Sequence, residues 1–314
     1  MLNFISIYSD LSAVFIRINN SFVGFPTRVN GQMFLKVYGV IADCPAMTSI
    51  LNHISHGGYF CCWYCQTKGE HVINKRQYYY DENLQMRDSS NFAYDSKRAQ
   101  YFRTNVHGRR GLSILNKILD ISLPEAAIAD FMHVSLLRHA KKICLYNYNK
   151  VMKPKQRSLL DKQMSIQKFP HFFHRAIRPL NETHIKASEI RNLLLYCFLP
   201  MVRNLLECER IAHIGLFVIG IRLLHGRRIF SVATAQNAHQ LLKFFYRDHE
   251  LFNESQQNFV LHLHIHYGEL YRSHGSLCNI NTFSQEDLMG AVSKYKHGSR
   301  HWVDQLAFYL NVSS

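Results

Sequence analysis

Three acids and one cysteine–histidine set supply the residue types from which a metal-dependent site is built. Asp43 closes the apolar run VYGVIA ahead of Cys-Pro-Ala, Asp130 lies in IADFMHV, and Glu286 opens the amphipathic stretch NTFSQEDLMGAV. Carboxylates brought from separate elements can hold divalent ions, which activate a water or hydroxyl and stabilise an in-line phosphoryl displacement. Each acid also has an ordinary reading. Asp43 can be turn punctuation before a proline, Asp130 a surface helix residue, and Glu286 a first-turn acid facing the helix dipole.

Cys62-x-x-Cys65 is a tight knuckle with two thiols, half of a zinc site. His262 and His266, in HLHIH, supply the other half if that segment is a helix, because residues four apart share one face. As a strand, its three histidines would instead line one polar face. Cys61 can replace Cys62 as a ligand, and His53, His56 and His71 flank the knuckle as further substitutes. A zinc bound by both halves would clamp the segment before Glu286 onto the segment after Asp43. His133 either faces the site of Asp130 or serves local packing. Lys294, Lys296 and Arg300 form either a solvated face or a phosphate-contacting run after Glu286.

The elements that must position these residues are unevenly marked. TRVNGQMFLKVYGVIADCPA reads as a strand, an Asn-Gly turn and a second strand ending at Asp43. A short helix-like AMTSILNHI follows, and then the Gly/Cys/aromatic piece HGGYFCCWYCQTKGEH, too small for a core of its own. Residues 75 to 110 are polar and aperiodic and read as loop and irregular helix. From Leu112 to Asn149 apolar residues recur at three and four, with a break at Pro124, so that Asp130 falls on the helix-like side of the break. Residues 155 to 260 carry several helical patterns.

The chain has 314 residues, 47% hydrophobic and 13% aromatic, enough for one large or two moderate folded domains. Lys and Arg outnumber Asp and Glu by 37 to 22, a formal charge of +15, which favours a polyanionic partner, most often nucleic acid. No apolar run reaches the length of a membrane span, so no membrane association is expected. The start lacks a basic leader with a small-residue cleavage site, and the eight cysteines show no disulfide-scaffold spacing. An intracellular, reducing environment is the expectation.

In order along the chain, ADCPA, NHISHGGYFCCWYCQTKGEH, VHGRRGLSIL and ADFMHVSLL resemble the CACTA-type (En/Spm-like) cut-and-paste DNA transposases. KASEIRNLLLYCFLPMV, HLHIHYGELYRSHGSL and NTFSQEDLMGAVSKYKHG extend the resemblance over about residues 24 to 305. It implies an α/β fold, an RNase H-like core interrupted by an all-α insertion, with a zinc-stapled Cys knuckle. Residues 1–23 stay unassigned. Residues 24–150 would form the first part of the core with the knuckle at about 53–71, 151–260 the helical insertion, and 261–314 the His segment and final acidic helix. The resemblance further implies that Asp43, Asp130 and Glu286 bind Mg2+ (or Mn2+), and that Cys62, Cys65, His262 and His266 hold a structural Zn2+. An active member would be nuclear, would bind DNA, would act as a homo-oligomer, and would cut and rejoin DNA strands. Gln285 stands before Glu286 where the family shows an aromatic or proline-rich context. The alternative is a truncated or domesticated relative that binds DNA or protein without cutting.

Overall fold

The computed structural model describes residues 15–18, 37–170, 173, 177–182, 184–226, 230–294 and 305. It is a mixed helix-and-sheet protein, with two small sheets among the described residues. The central strand β2 (Val37–Ala42) is the run VYGVIA, and all but Tyr38 of its residues are buried. It pairs antiparallel with β1 (Phe15–Ile18), a strand within the stretch that the sequence leaves unassigned. Its Asn-Gly turn and the strand before it lie outside the described residues. On its other side β2 pairs in parallel with β5 (Ala127–Ala129), Val40 opposite Ala127 and Ala42 opposite Ala129. Gly39 permits this approach, since a Cβ there would stand 2.8 Å from Ile128 Cδ1 and 3.2 Å from the Ala126 carbonyl oxygen.

β5 corrects the sequence reading. EAAIAD has helix-forming residues and no alternation, yet Ala127, Ile128 and Ala129 are buried and pair with β2. A fully buried parallel strand shows no period of two, and tertiary pairing decides the outcome. Asp130 therefore ends a strand and precedes a helix, α3, which runs over 132–151 with two stretches of wider π turns.

β2 leads directly into α1 (Cys44–Ile50), where Asp43 is the N-cap and its Oδ1 accepts the Ala46 amide at 2.9 Å. Pro45, in the first helical turn, ends the strand and starts the helix at once. Residues 75–110 are more regular than their composition indicates. They include β4 (Lys75–Gln77), paired with β3 (Glu70–Val72) as a hairpin, and α2 (Ser89–Phe102), 14 residues with an Asp88/Asn91 capping box. α2 is largely solvent-facing, so its apolar period is weak; its cap is the better mark of its start.

Beyond α3 the described chain carries helices up to residue 294: α4 (Pro154–Ile166), α5 (187–202), α6 (Cys208–His225), α7 (Ala233–Arg247), α8 (His249–Phe252), α9 (259–274) and α10 (Phe283–Ser293). α6 and α7 pack face to face, with Phe217 stacked on Phe245 at 5.0 Å. None of these helices is long and apolar enough to cross a membrane.

Candidate functional site

HLHIH is helical, and this decides which histidines meet the knuckle. His262 and His266 face Cys62 and Cys65, and one ligand atom from each of the four lies within 4.8 Å of all the others. Cys65 Sγ is 3.1 Å from His262 Nε2, Cys62 Sγ is 3.4 Å from His266 Nε2, and the two imidazole nitrogens are 3.3 Å apart. Ligand atoms of a tetrahedral zinc stand roughly 3.3 to 3.8 Å apart, so the donor set and its spacing fit that ion. All four residues are buried. Among the described residues this is the one such cluster.

The electrostatics of the cluster favour a cation. Burial opposes ionisation of Cys62, but the Cys65 hydrogen bond and the charges of His266 and His262 outweigh it and hold the thiol well below its usual range. Cys65 is pushed the other way by burial and by Cys62. The Cys62 sulfur accepts the Tyr64 amide at 3.4 Å, Tyr246 Oη lies 3.3 Å from His262 Nδ1, and Arg87 Nε donates to the carbonyls of Cys62 and Cys65. Such outer contacts orient ligands before a metal arrives.

The substitutes lie elsewhere. Cys61 is buried against Tyr78, and burial pushes its thiol up. His53 bonds the Ile54 carbonyl oxygen and is driven down to about 3 by burial and by Arg109 and Arg87. His56 and His71 are exposed. His264, the middle histidine of HLHIH, faces the opposite way and meets Ser135 Oγ at 3.0 Å.

The knuckle reaches the sheet through Tyr64. Its hydroxyl donates to the Ala127 carbonyl oxygen at 2.6 Å and accepts the Ala129 amide at 3.0 Å, satisfying the side of β5 that β2 leaves open. The ring packs against His266 with centroids 5.0 Å apart. Gly108, in VHGRRG, closes the knuckle from behind. Its φ is +88°, and a Cβ there would fall 2.0 Å from the Phe60 carbonyl oxygen.

Because Ala42 pairs with Ala129, Asp43 and Asp130 are the next residues along two neighbouring parallel strands. Asp130 is fully buried. Its Oδ1 accepts the amides of Met132 at 3.2 Å and Thr282 at 3.0 Å. Its Oδ2 accepts the His133 amide at 3.1 Å and the Thr282 hydroxyl at 2.8 Å, and lies 2.5 Å from His133 Nδ1. Through Thr282 the start of α10 docks on the end of β5, and this brings in Glu286, whose Oε1 lies 3.2 Å from His133 Nε2.

His133 thus bridges Asp130 and Glu286. Burial works against its charged form, but the bond to Asp130 and the charges of Asp130, Glu286 and Asp43 raise its pKa. Glu286 is itself raised by burial, against the pull of His133, with Asp130, Asp287 and Asp43 adding to the rise. The His133 imidazole thus lies between the Asp130 and Glu286 carboxylates. Of the basic run after Glu286, Lys294 is exposed, while Lys296 and Arg300 lie outside the described residues.

Thr282 and Tyr64 are the site residues that the sequence reading passes over. Neither sits in a metal-ligand spacing, and only Thr282, at the mouth of the last acidic helix, occupies a position where a helix cap would draw notice. Comparison with known proteins finds no matching family model and no matching curated protein.

Proposed function

We propose that the chain is a transposase-derived DNA-binding protein with an RNase H-like acid site, and that Asp43, Asp130 and Glu286 support DNA strand cleavage and transfer when the site is active. What carries the reading is the placement of Asp43 and Asp130 at the same ends of two adjacent parallel strands, with Glu286 brought towards Asp130 through His133 by the start of α10. Divalent ions, when bound, would supply an activated nucleophile and neutralise developing phosphate charge. The residues' own part is to hold the carboxylates: Thr282 and the amides of Met132 and His133 fix Asp130, and the α1 cap fixes Asp43. The Cys62/Cys65/His262/His266 cluster acts structurally, binding zinc and pinning the knuckle beneath β5. The basic balance of +15 suits a DNA partner, and a nuclear location and homo-oligomeric action go with the reading.

A second reading has its own observation. Asp130 is saturated with donors and His133 already bridges two of the acids, an arrangement that suits a relative which binds DNA or protein without cutting. A nicking assay on supercoiled DNA with added Mg2+ or Mn2+ separates the two. Cleavage by the wild type that disappears in Asp43→Ala and Glu286→Ala supports the enzyme. Equal residual cleavage in all three proteins, or none in any, rejects it in favour of the binder.

A further inference from the structure

A groove of about 470 Å3 runs along the solvent side of α3 and is lined by Arg138, Lys141, Lys142 and Lys150 together with Tyr146 and Gln256. None of the four cations has a carboxylate within ion-pair distance among the described residues. Lys75, on the β3–β4 hairpin, adds a fifth positive charge near Lys142; partial burial, and then that charge, hold the Lys142 ammonium below its ordinary value. Like charges gathered without counter-charges destabilise a fold, so their common function is to meet an anion that arrives from outside. The cations are also ordered. Arg138 lies near the start of α3, eight residues beyond Asp130, and its charge is felt at Cys44, the neighbour of Asp43. Lys150 lies twelve residues further along, a span of at most ~18 Å, the wider turns at both ends of α3 shortening the ordinary rise. That length spans about three to four successive phosphates of one DNA strand.

We infer that the α3 groove is a phosphodiester track, along which the DNA strand leaving the Asp43/Asp130 end of the sheet is held by Arg138, Lys142 and Lys150. This rests on the DNA-binding part of the proposed function and is independent of whether the acid site cuts. The face is shallow and carries Leu137 and Leu145 beside its cations. What favours DNA is the single line of charges along one helix, and an anionic lipid surface is a competing outcome of the test.

The test is binding of a labelled random-sequence duplex by fluorescence anisotropy over a range of salt, without added Mg2+ or Mn2+, so that a protein unable to cut still reports. The combined variant Arg138→Ala, Lys142→Ala, Lys150→Ala changes three exposed residues. It should weaken binding and flatten the plot of log K against log salt by about 2.7, three lost phosphate contacts at ~0.9 each. A control triple, Lys117→Ala, Lys155→Ala, Lys162→Ala, removes the same charge from other exposed positions and should leave the slope nearly unchanged. Equal slopes in the two triples, or no duplex binding by the wild type, would overturn the assignment. So would a loss confined to vesicles of anionic lipid. Failure of nicking with an intact groove effect would remove the enzyme reading and leave the track.

Discussion

The amide of Ala129 donates to the hydroxyl of Tyr64 at 3.0 Å, one residue before the buried acid of the sheet. A side chain of the cysteine knuckle thereby completes the backbone pairing of the strand that presents Asp130. The metal-type cluster and the acid site are mechanically one assembly.

Tyr64→Phe removes the hydroxyl and leaves the Ala127 carbonyl and Ala129 amide unpaired in a dry environment. The expected loss is about 1–3 kcal/mol of stability, read from urea unfolding midpoints. Zinc content should stay unchanged, because the ligands are not touched. An unaltered midpoint would show that the contact does not hold β5.

Purified protein should contain about one zinc per chain, falling to near zero in Cys65→Ser or His262→Ala, by elemental analysis. Substituting Cys61 with Ser should leave the metal in place, since its thiol faces Tyr78 rather than the cluster. Metal retained in Cys62→Ser with loss in Cys61→Ser would mean that Cys61 takes the place of Cys62 as the ligand.

Asp130→Asn keeps the shape but turns one acceptor oxygen into a donor facing Thr282, His133 or their amides. We expect a stability loss of about 2–4 kcal/mol, more than Asp43→Asn, which caps a helix at a half-exposed position. Comparable midpoints for the two variants would count against the buried donor network around Asp130.

Acid should loosen the helical part before it affects the hairpin. Burial holds His139 well below its ordinary value, His213 at about 4 and His249 at about 3, with the neighbouring histidines and Lys142 adding to the drop at His139 and His249. Asp248 works the other way on His213, and Arg210 lowers it further. One ring nitrogen of each, Nε2 of His139 and Nδ1 of His213 and His249, has no hydrogen-bond partner, while His213 Nε2 donates to the Phe245 carbonyl oxygen at 2.9 Å. An unfolded histidine takes up its proton near pH 6.5, so the unfolded state binds more protons below that value. The stability due to the neutral rings is therefore full above pH ~6.5 and declines as pH falls towards 3–4, by up to ~1.4 kcal/mol per pH unit for each ring. His213→Phe, which can occupy the stack between Phe245 and Phe252, should flatten that slope between pH 6 and 4.5. An unchanged slope would place the acid sensitivity elsewhere.

What the sequence made legible was local and periodic. The strand ending at Asp43, the helix after it, the helices beyond residue 154 and the pairing of the two zinc half-sites all leave marks in residue type or spacing. β5 leaves none, because three small buried residues acquire their extended form only from β2. The same holds for Thr282 and for the bridge of His133 between Asp130 and Glu286, which depend on elements about 150 residues apart in the chain meeting in space. The hairpin and α2 were hidden for the opposite reason, since their surfaces face water and carry little apolar pattern.

With zinc bound, the stretch from Cys62 to His266 becomes a closed ring, tied at its base by coordination across some two hundred residues of backbone. Closing so long a loop costs entropy that grows only logarithmically with its length, so the ring can lengthen or shorten at small thermodynamic cost. A single protease cut on its exposed outer helices would open the ring without dividing the molecule. The two pieces would travel together under native conditions, held both by the shared core and by the coordination, and a chelator would remove only the second tie.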